Sequence, residues 1–324
     1  MARLLDGSDP QAIEAAAAAL RAGEVVAFPT ETVYGLGADA LNEQAVAQVF
    51  AIKNRPRFDP LIVHLPSKEM VPQYAAVIDE RAVALMERFW PGPLTLVLRK
   101  RPLIPDLVTA GLDTVALRVP AHPVALALLR AVGRPIAAPS ANPFGYVSPT
   151  TAPHVQEMLG DAITLVLDGG PCAVGVESTV CALTEKDAIV LRPGGVTVEE
   201  IEAVIGPVTI ASASQSDPRS PGTLPRHYSP HVPLTLLAPG ESIPHPRKGE
   251  RAGLLTLAPC SGVEGYSVVE ALSKDGNLVE AAANLFATLR RLDSLGLEQV
   301  VVEPVPEHGL GRAIMDRLRR AARG

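Results

Sequence analysis

Hydrophobic and polar positions follow two different periods along the first 206 residues, which predicts helices and strands in turn. Apolar residues spaced three and four apart predict six helices, beginning near residues 8, 42, 79, 123, 152 and 198. Short runs rich in Val, Leu and Ile lie between them and predict β-strands, with three more in close succession between 163 and 195. This order predicts a twisted, partly open, mixed α/β sheet.

Local signals set some of the boundaries. Ser8, with Gln11 three residues later, has the pattern of a helix N-cap, and Gly23 suits the position just past the end of that helix. After a strand at 24–29, the segment 29–37 combines hydroxyl groups with two glycines, which predicts a polar turn between strand and helix.

The periodic pattern lapses between residues 206 and 231. This stretch is rich in Ser and Pro and is too long for an ordinary connection, so composition alone leaves a passive linker as one interpretation. Beyond it, further apolar runs and two helical segments, near 278–292 and 311–322, predict a second α/β unit. We expect a first domain over 1–206, a linker over 207–232 and a small α/β C-terminal domain over 233–324.

Composition narrows the class of protein. Lys and Arg total 29 against 35 Asp and Glu, a net charge of −6, so binding of nucleic acid through bulk charge is not expected. No apolar run is long enough to predict a membrane span, and Asp6 and Asp9 interrupt the region where a signal peptide needs its apolar core. Cys172, Cys181 and Cys260 form neither a disulfide framework nor a CxxC pair, so a cytoplasmic location is predicted.

Standard nucleotide and hydrolase motifs are missing from the sequence, and cations gather at element ends instead. There is no GxxxxGK[ST], HExxH or GxSxG. Lys53, Arg55 and Arg57 follow a helix, where they either satisfy the helix dipole or form an anion clamp. Arg118 and Arg192 lie in apolar strands, where an arginine needs an anionic partner. Together these arginines favour one pocket for phosphate or carboxylate, although structural pairing stays open for each.

Seven motifs in this order resemble a known family: FPTETVYGLG, KNRP with PLIVH, WPGPLTLVL, LRVP, PSAN, ESTV and LRPGG. They are similar to the YrdC-like threonylcarbamoyl-adenylate synthases, and SPGTLPRHYSPH resembles the linker of longer members that carry a second domain. The resemblance covers about residues 10–232 by motif. It implies a twisted mixed α/β sheet with a concave, basic cavity.

The resemblance also implies an enzyme, a nucleotidyltransferase that joins L-threonine, bicarbonate and ATP into threonylcarbamoyl-AMP and releases pyrophosphate. Mg²⁺ would arrive with ATP, with no direct protein ligand. Other proteins, tRNA threonylcarbamoyl transferases, would then modify adenosine in tRNA. A weak direct contact with tRNA is left open, and no membrane partner is expected.

Each residue that matches a motif takes an implied role. The threonine site would comprise Thr32, His64, Arg118 and Ser178. The ATP site would comprise Arg55, Asp59, Thr114, Ser140, Ser148, Arg192 and Tyr228. The catalytic set would comprise Lys53, Arg55, Arg118, Ser140 and Asn142. Asp59 departs from the family, whose members often have Asn there, and an acid beside phosphates prefers a bridging Mg²⁺. Ala138 stands where some members carry a hydroxyl. Without the resemblance, His64 in an apolar strand is typical of a core histidine.

The linker is expected to act as a lid over the cavity. Three prolines stiffen the segment 220–230, which lowers the entropy lost when it docks. Tyr228 would lie near the ATP phosphates, with Arg226 or His227 adding positive charge, and Gly222 and 212–216 would serve as hinges. Two other functions remain as alternatives: an RNA-binding module without catalysis, and a carbamoyl-transfer enzyme similar to a domain of hydrogenase maturation proteins.

Overall fold

The structure, a computed structural model, describes residues 1–184, 186–211 and 227–323. Its first sheet is built from β1 (Arg3–Asp6), β2 (Val26–Phe28), β3 (Gly35–Asp39), β4 (Ile62–His64), β5 (Leu94–Arg99), β6 (Thr114–Arg118), β7 (Ile136–Ala137), β8 (Leu165–Asp168), β9 (Thr179–Ala182), β10 (Ile189–Arg192) and β11 (Thr209–Ile210). The helices of this part are α1 (Pro10–Arg21), α2 (Glu43–Lys53), α3 (Val71–Tyr74), α4 (Glu80–Phe89), α5 (Asp106–Thr109), α6 (Pro123–Val132), α7 (Ala152–Leu159) and α8 (Val198–Ile205).

Across this sheet the strands run β1-β8-β2-β3-β7-β4-β6-β5-β9-β10-β11. Parallel pairs such as β4 with β6 adjoin antiparallel pairs such as β5 with β6. The predicted mixed α/β sheet is therefore confirmed. A smaller sheet follows, with β12 (Leu234–Leu236), β13 (Ala252–Thr256), β14 (Val268–Ala271) and β15 (Gln299–Val302) in the order β12-β15-β13-β14, all parallel. Helices α9 (Leu278–Ser294) and α10 (Gly311–Ala321) complete this second unit.

Two local expectations are wrong. The first helix is capped by Asp9, whose carboxylate accepts from the Gln11 amide, and Pro10 takes the first helical position. Ser8 instead donates to the carboxylate of Asp6, at 2.7 Å. Part of the predicted turn at 29–37 is the start of the buried strand β3. A Cβ at Gly37 would lie 2.7 Å from the Phe28 ring, so the glycine is needed for close strand packing.

The two units share apolar packing. Val33, Val147 and Val176 of the first unit belong to one buried cluster with residues of α9 and α10. Gly175 lies so close to α9 that a Cβ there would be 2.4 Å from the Ala283 Cα. The linker boundaries at 206 and 232 stay a prediction, and β11 extends the first sheet to Ile210. Within the described residues, no helix has both the length and the apolar character to cross a membrane.

Candidate active site

Several strands end at one cavity of the first unit. His64 and Arg118 are the last residues of the paired strands β4 and β6 and lie opposite each other in register. Arg192 ends β10, and Ser178 immediately precedes β9. The cavity is lined by Thr30, Thr32, Val33, Gly35, Arg55, Ile62, His64, Arg118, Ala138, Pro139, Ser140, Glu177, Ser178, Arg192, His227 and Tyr228. Its volume is about 50 Å³, far below the roughly 300–1,000 Å³ of a small-molecule pocket.

Three buried arginines face this cavity together, as the sequence predicts. Arg55, Arg118 and Arg192 are each 7% exposed or less. They come from three distant parts of the chain. Arg55 and Arg118 each pair with a carboxylate, and backbone carbonyls and hydroxyls accept further hydrogen bonds from the three guanidinium groups. Such an arrangement keeps positive charge fixed beside the cavity, because Arg stays protonated even when it is buried.

Arg118 combines a structural pair with a place in the cavity wall. Its Nη1 donates to Thr32 Oγ1 at 3.0 Å, and its Nε donates to the Gly92 carbonyl at 3.2 Å. Its Nη2 lies 2.7 Å from Glu31 Oε1, an ion pair rather than a well-aligned hydrogen bond. The carboxylate partner that an apolar strand demands is therefore Glu31. Thr32 is held by the same arginine and by Thr30, whose Oγ1 lies 2.8 Å away.

Arg192 and Ser178 form a second polar corner of the cavity. The Arg192 Nη2 donates to the Ser178 carbonyl at 2.9 Å and lies 3.3 Å from Ser178 Oγ. The Ser178 hydroxyl also shares a hydrogen bond with Thr95 Oγ1 at 2.8 Å. This corner requires close approach of two loops, because a Cβ at Gly194 would lie 2.2 Å from the Glu177 carbonyl.

Arg55 is held by the turn that follows it. Its Nη2 lies 2.9 Å from Asp59 Oδ1 and donates to the Pro60 carbonyl at 3.0 Å. Asp59 is buried, and burial raises the pKa of its carboxyl, an effect that the nearby Arg55 opposes. Asp59 therefore has a protein cation as its partner. Arg57, the third cation of the predicted clamp, is exposed.

His64 is an uncharged member of the cavity wall. It is 3% exposed, and burial, reinforced by the neighbouring Arg118, lowers its pKa to about 3. Its Nδ1 has no hydrogen-bond partner among the described residues. A neutral imidazole there can donate or accept one hydrogen bond to a small polar ligand without adding charge.

Five predicted site residues lie outside this cavity wall. The Lys53 ammonium donates to the carbonyls of Ser140 and Asn142, so it braces the loop that carries Ser140. The amide of Asn142 donates to the carbonyls of Pro143 and Tyr146. The other three are Asp59, which pairs with Arg55, Thr114, which begins β6 at the end opposite Arg118, and Ser148, whose hydroxyl donates to Glu177 Oε1 at 2.6 Å.

His227 and Tyr228 of the expected lid line the cavity and are buried. The Tyr228 ring stacks on Phe286 of α9, with centroids 5.5 Å apart, and its φ of 61° is in the left-handed region. The expectation that His227 adds positive charge is wrong, because burial and the nearby Arg55 lower its pKa well below its ordinary value. The expected hinges and Arg226 lie outside the described residues.

Sequence reasoning missed Glu31, Glu177 and the arginine that reaches Glu177 from the C-terminal unit, Arg317. Glu177 lines the cavity and accepts from Arg317 Nε at 2.9 Å. The available signal was Arg317 itself, which follows Ile314 by three residues and so lies on the apolar face of α10. Within the described residues, no group of three or more His, Cys, Asp or Glu could hold a metal ion.

Comparison with known proteins identifies the family of this chain. Residues 18–194 match the Sua5–YciO–YrdC family, described as "Telomere recombination". Residues 196–323 match a domain described as "Threonylcarbamoyl-AMP synthase, C-terminal domain". A Bacillus subtilis relative named threonylcarbamoyl-AMP synthase is 46% identical over 99% of this chain and 95% of its own length.

Two solved structures of Pyrococcus abyssi Sua5 have the same fold throughout. The complex with L-threonine is 43% identical, with a TM-score of 0.89 over 97% of this chain and 95% of that one. A variant with a histidine and the following tyrosine changed to alanine is 41% identical, with a TM-score of 0.90 over 99% and 96% of the two chains. The chain therefore belongs to the Sua5–YciO–YrdC family, in its long form with a threonylcarbamoyl-AMP synthase C-terminal domain.

Proposed function

We propose that this protein is an L-threonylcarbamoyladenylate synthase, a nucleotidyltransferase that converts L-threonine, bicarbonate and ATP into threonylcarbamoyl-AMP and pyrophosphate. Family membership and the names of its full-length relatives support this function. The observation that carries it is the convergence of Arg55, Arg118 and Arg192 on one buried cavity. Three fixed cations beside hydroxyl groups suit the joining of two anionic reactants.

The threonine end of the cavity is formed by Thr32, His64, Arg118 and Ser178. Arg118 supplies the charge for the threonine carboxylate, and the neutral His64 has an unsatisfied Nδ1 for the substrate's hydroxyl or amine. A site with a partner for the substrate hydroxyl discriminates against analogues that lack it. We therefore expect serine to be a poor substrate and valine to be nearly inactive.

The phosphate end is formed by Arg55 and Arg192. The neutral threonine amine adds to the carbon of CO2 or bicarbonate and gives an N-carboxylate. The addition releases a proton when the carbon comes from CO2 and a water molecule when it comes from bicarbonate. An oxygen of this carboxylate attacks the α-phosphorus as the bond to the pyrophosphate oxygen breaks. Arg55 and Arg192 would stabilise the charge on the phosphoryl oxygens, while Arg118 orients the attacking group.

Mg²⁺ is expected with ATP rather than as a resident ion. Asp59 is paired with Arg55, and Glu177, which lines the cavity, is paired with Arg317, so both carboxylates already have cationic partners. When bound, Mg²⁺ would offset the charge of the ATP phosphates. Lys53 and Asn142 would act indirectly, because they hold the loop around Ser140 in place.

The lid proposal rests on His227 and Tyr228. These residues line a cavity whose volume is too small for both substrates, so we expect them to move when ATP enters. Closure behind the substrates would exclude water, which protects a carbamoyl-adenylate from hydrolysis. In the full chain, Tyr228→Ala should lower synthesis and increase AMP formation, whereas Tyr228→Phe keeps the ring. Equal ratios of AMP to threonylcarbamoyl-AMP in Tyr228→Ala and the unmodified protein would contradict the lid.

The decisive experiment is pyrophosphate release from ATP in the presence of threonine, with bicarbonate added or removed. We expect release to require both, and labelled bicarbonate to appear in the adenylate. Equal release with valine would refute the threonine assignment. The RNA-binding alternative instead predicts tRNA affinity that falls steeply with salt and no pyrophosphate. The tRNA transferase partners, any tRNA contact and a cytoplasmic location belong to the same proposal.

A further inference from the structure

One arginine of the C-terminal unit reaches the wall of the cavity. Arg317, in α10, has no exposed surface. Its Nε donates to Glu177 Oε2 at 2.9 Å, and its Nη1 donates to the Pro193 carbonyl at 2.8 Å. Its guanidinium carbon lies 5.1 Å from the centroid of the Tyr228 ring. A single side chain thus connects the second unit to three segments of the site.

Each of those contacts adjoins a residue that lines the cavity. Glu177 is a lining residue and directly precedes Ser178, and Pro193 directly follows Arg192. Tyr228, like His227, is a lining residue of the expected lid. Movement of Arg317 would therefore alter the threonine end, the phosphate end and the closing tyrosine together.

The Arg317 side chain is itself held in a fixed orientation. Asp316 accepts from its Nη1 at 2.8 Å and also pairs with Arg320 at 2.9 Å. Glu177 is fixed from the other side by the Ser148 hydroxyl. Burial by itself would lower the pKa of Arg317, but Tyr228, Glu177 and Asp316 outweigh it and raise that pKa. The planar, charged guanidinium can donate hydrogen bonds from its edge to carboxylate and carbonyl oxygens while its face packs against an aromatic ring.

We propose that Arg317 is a positioning residue through which the C-terminal domain holds Tyr228 across the cavity and aligns the Glu177–Ser178 and Arg192–Pro193 segments. This inference rests on the proposed synthase function. The competing explanation is that Arg317 only neutralises the buried Glu177 carboxylate. The two explanations differ in what happens when both charges are removed.

The test compares Arg317→Met, Glu177→Gln and the double variant in the full-length protein. Arg312→Met is the matched control, because Arg312 lies on the same helix and also pairs with a first-domain glutamate, Glu199, at 3.0 Å. Arg317→Met alone is expected to lose stability, since it leaves a buried carboxylate unpaired. The double variant removes that cost, and its melting temperature should be close to that of Glu177→Gln. The test therefore remains valid even if the single variant fails to fold.

Positioning predicts that the double variant has a kcat/KM for ATP about 10- to 30-fold below that of Glu177→Gln, the size expected when a buried cation–π interaction is removed. Arg312→Met should match the unmodified protein. Equal kcat/KM in the double variant and Glu177→Gln would overturn the proposal, because neutralisation would then be the whole role of Arg317.

A second readout does not depend on activity. The Ser229 amide, next to Tyr228, donates to the Gly145 carbonyl at 2.8 Å. Hydrogen exchange at this amide should accelerate at least tenfold in the double variant relative to Glu177→Gln, and unchanged exchange would overturn the proposal. If the unmodified protein releases no pyrophosphate with threonine, the proposed function fails, whereas this exchange still decides the role of Arg317.

Discussion

Replacement of His64 by Gln should make the protein less sensitive to mild acid. The pKa of His64 in the folded chain is about 3, against an ordinary value of about 6.5. Between these values the unfolded chain binds a proton that the folded chain does not, so acidification stabilises the unfolded state. The contribution of His64 to the free energy of unfolding should therefore be fully present above pH 6.5. At lower pH this contribution should decrease by about 1.4 kcal/mol for each pH unit.

When the pH is lowered from 7 to 5, His64 should account for a loss of about 2 kcal/mol of unfolding free energy. Urea unfolding at both pH values, for the unmodified protein and for His64→Gln, measures this directly. Other buried histidines contribute to the total, so the relevant quantity is the difference between the two proteins. His245→Gln, at an exposed position, is the matched control and should lose as much stability as the unmodified protein. If His64→Gln lost as much unfolding free energy on acidification as that control, the conclusion that His64 is buried and uncharged in the folded chain would be refuted.

The remaining predictions concern buried pairs and the junction of the two units. Arg118→Ala should cost about 3–5 kcal/mol of unfolding free energy because it leaves the buried Glu31 carboxylate unpaired. Adding Glu31→Gln should restore the melting temperature but not threonine binding. Recovery of both would show that Arg118 has only a structural role. Lys53→Met should cost about 1.5–3 kcal/mol for each of the hydrogen bonds that the ammonium donates to a carbonyl, and denaturation that is unchanged would refute its bracing role. Gly175→Ala should destabilise more than Gly133→Ala, because both have positive φ but only Gly175 abuts α9; equal melting temperatures would contradict the close packing.

Local patterns were sufficient to predict most elements of the first sheet, since apolar periodicity and cap residues act over a few positions. They failed at β3, where Gly37, which favours a turn in the sequence, is instead required for the Phe28 ring to pack against the strand. They also failed at Ser8, because Asp9 and Pro10 together specify a later helix start. In both cases a neighbouring side chain outweighed the local preference.

The arginines of the site were identifiable because a buried cation in an apolar strand demands an anion. The identity of that anion could not be predicted from the sequence, since it depends on which segments meet in space. Arg118 finds Glu31, and Arg55 finds Asp59. The sequence likewise did not predict that His227 is neutral, because the lowered pKa of this histidine results from burial beside Arg55 in the folded chain.

The place of Tyr228 in the cavity wall has a consequence for how tightly a first substrate binds. Withdrawal of the Tyr228 ring into water would cost about 1.5–3 kcal/mol of apolar burial. An open form at that free energy is populated roughly 1–10% of the time. Since only this fraction can accept a ligand, the apparent affinity is lowered by about 10- to 100-fold. In the proposed lid, the stacking of Tyr228 on Phe286 would therefore weaken the capture of the first substrate and lengthen the retention of a labile intermediate.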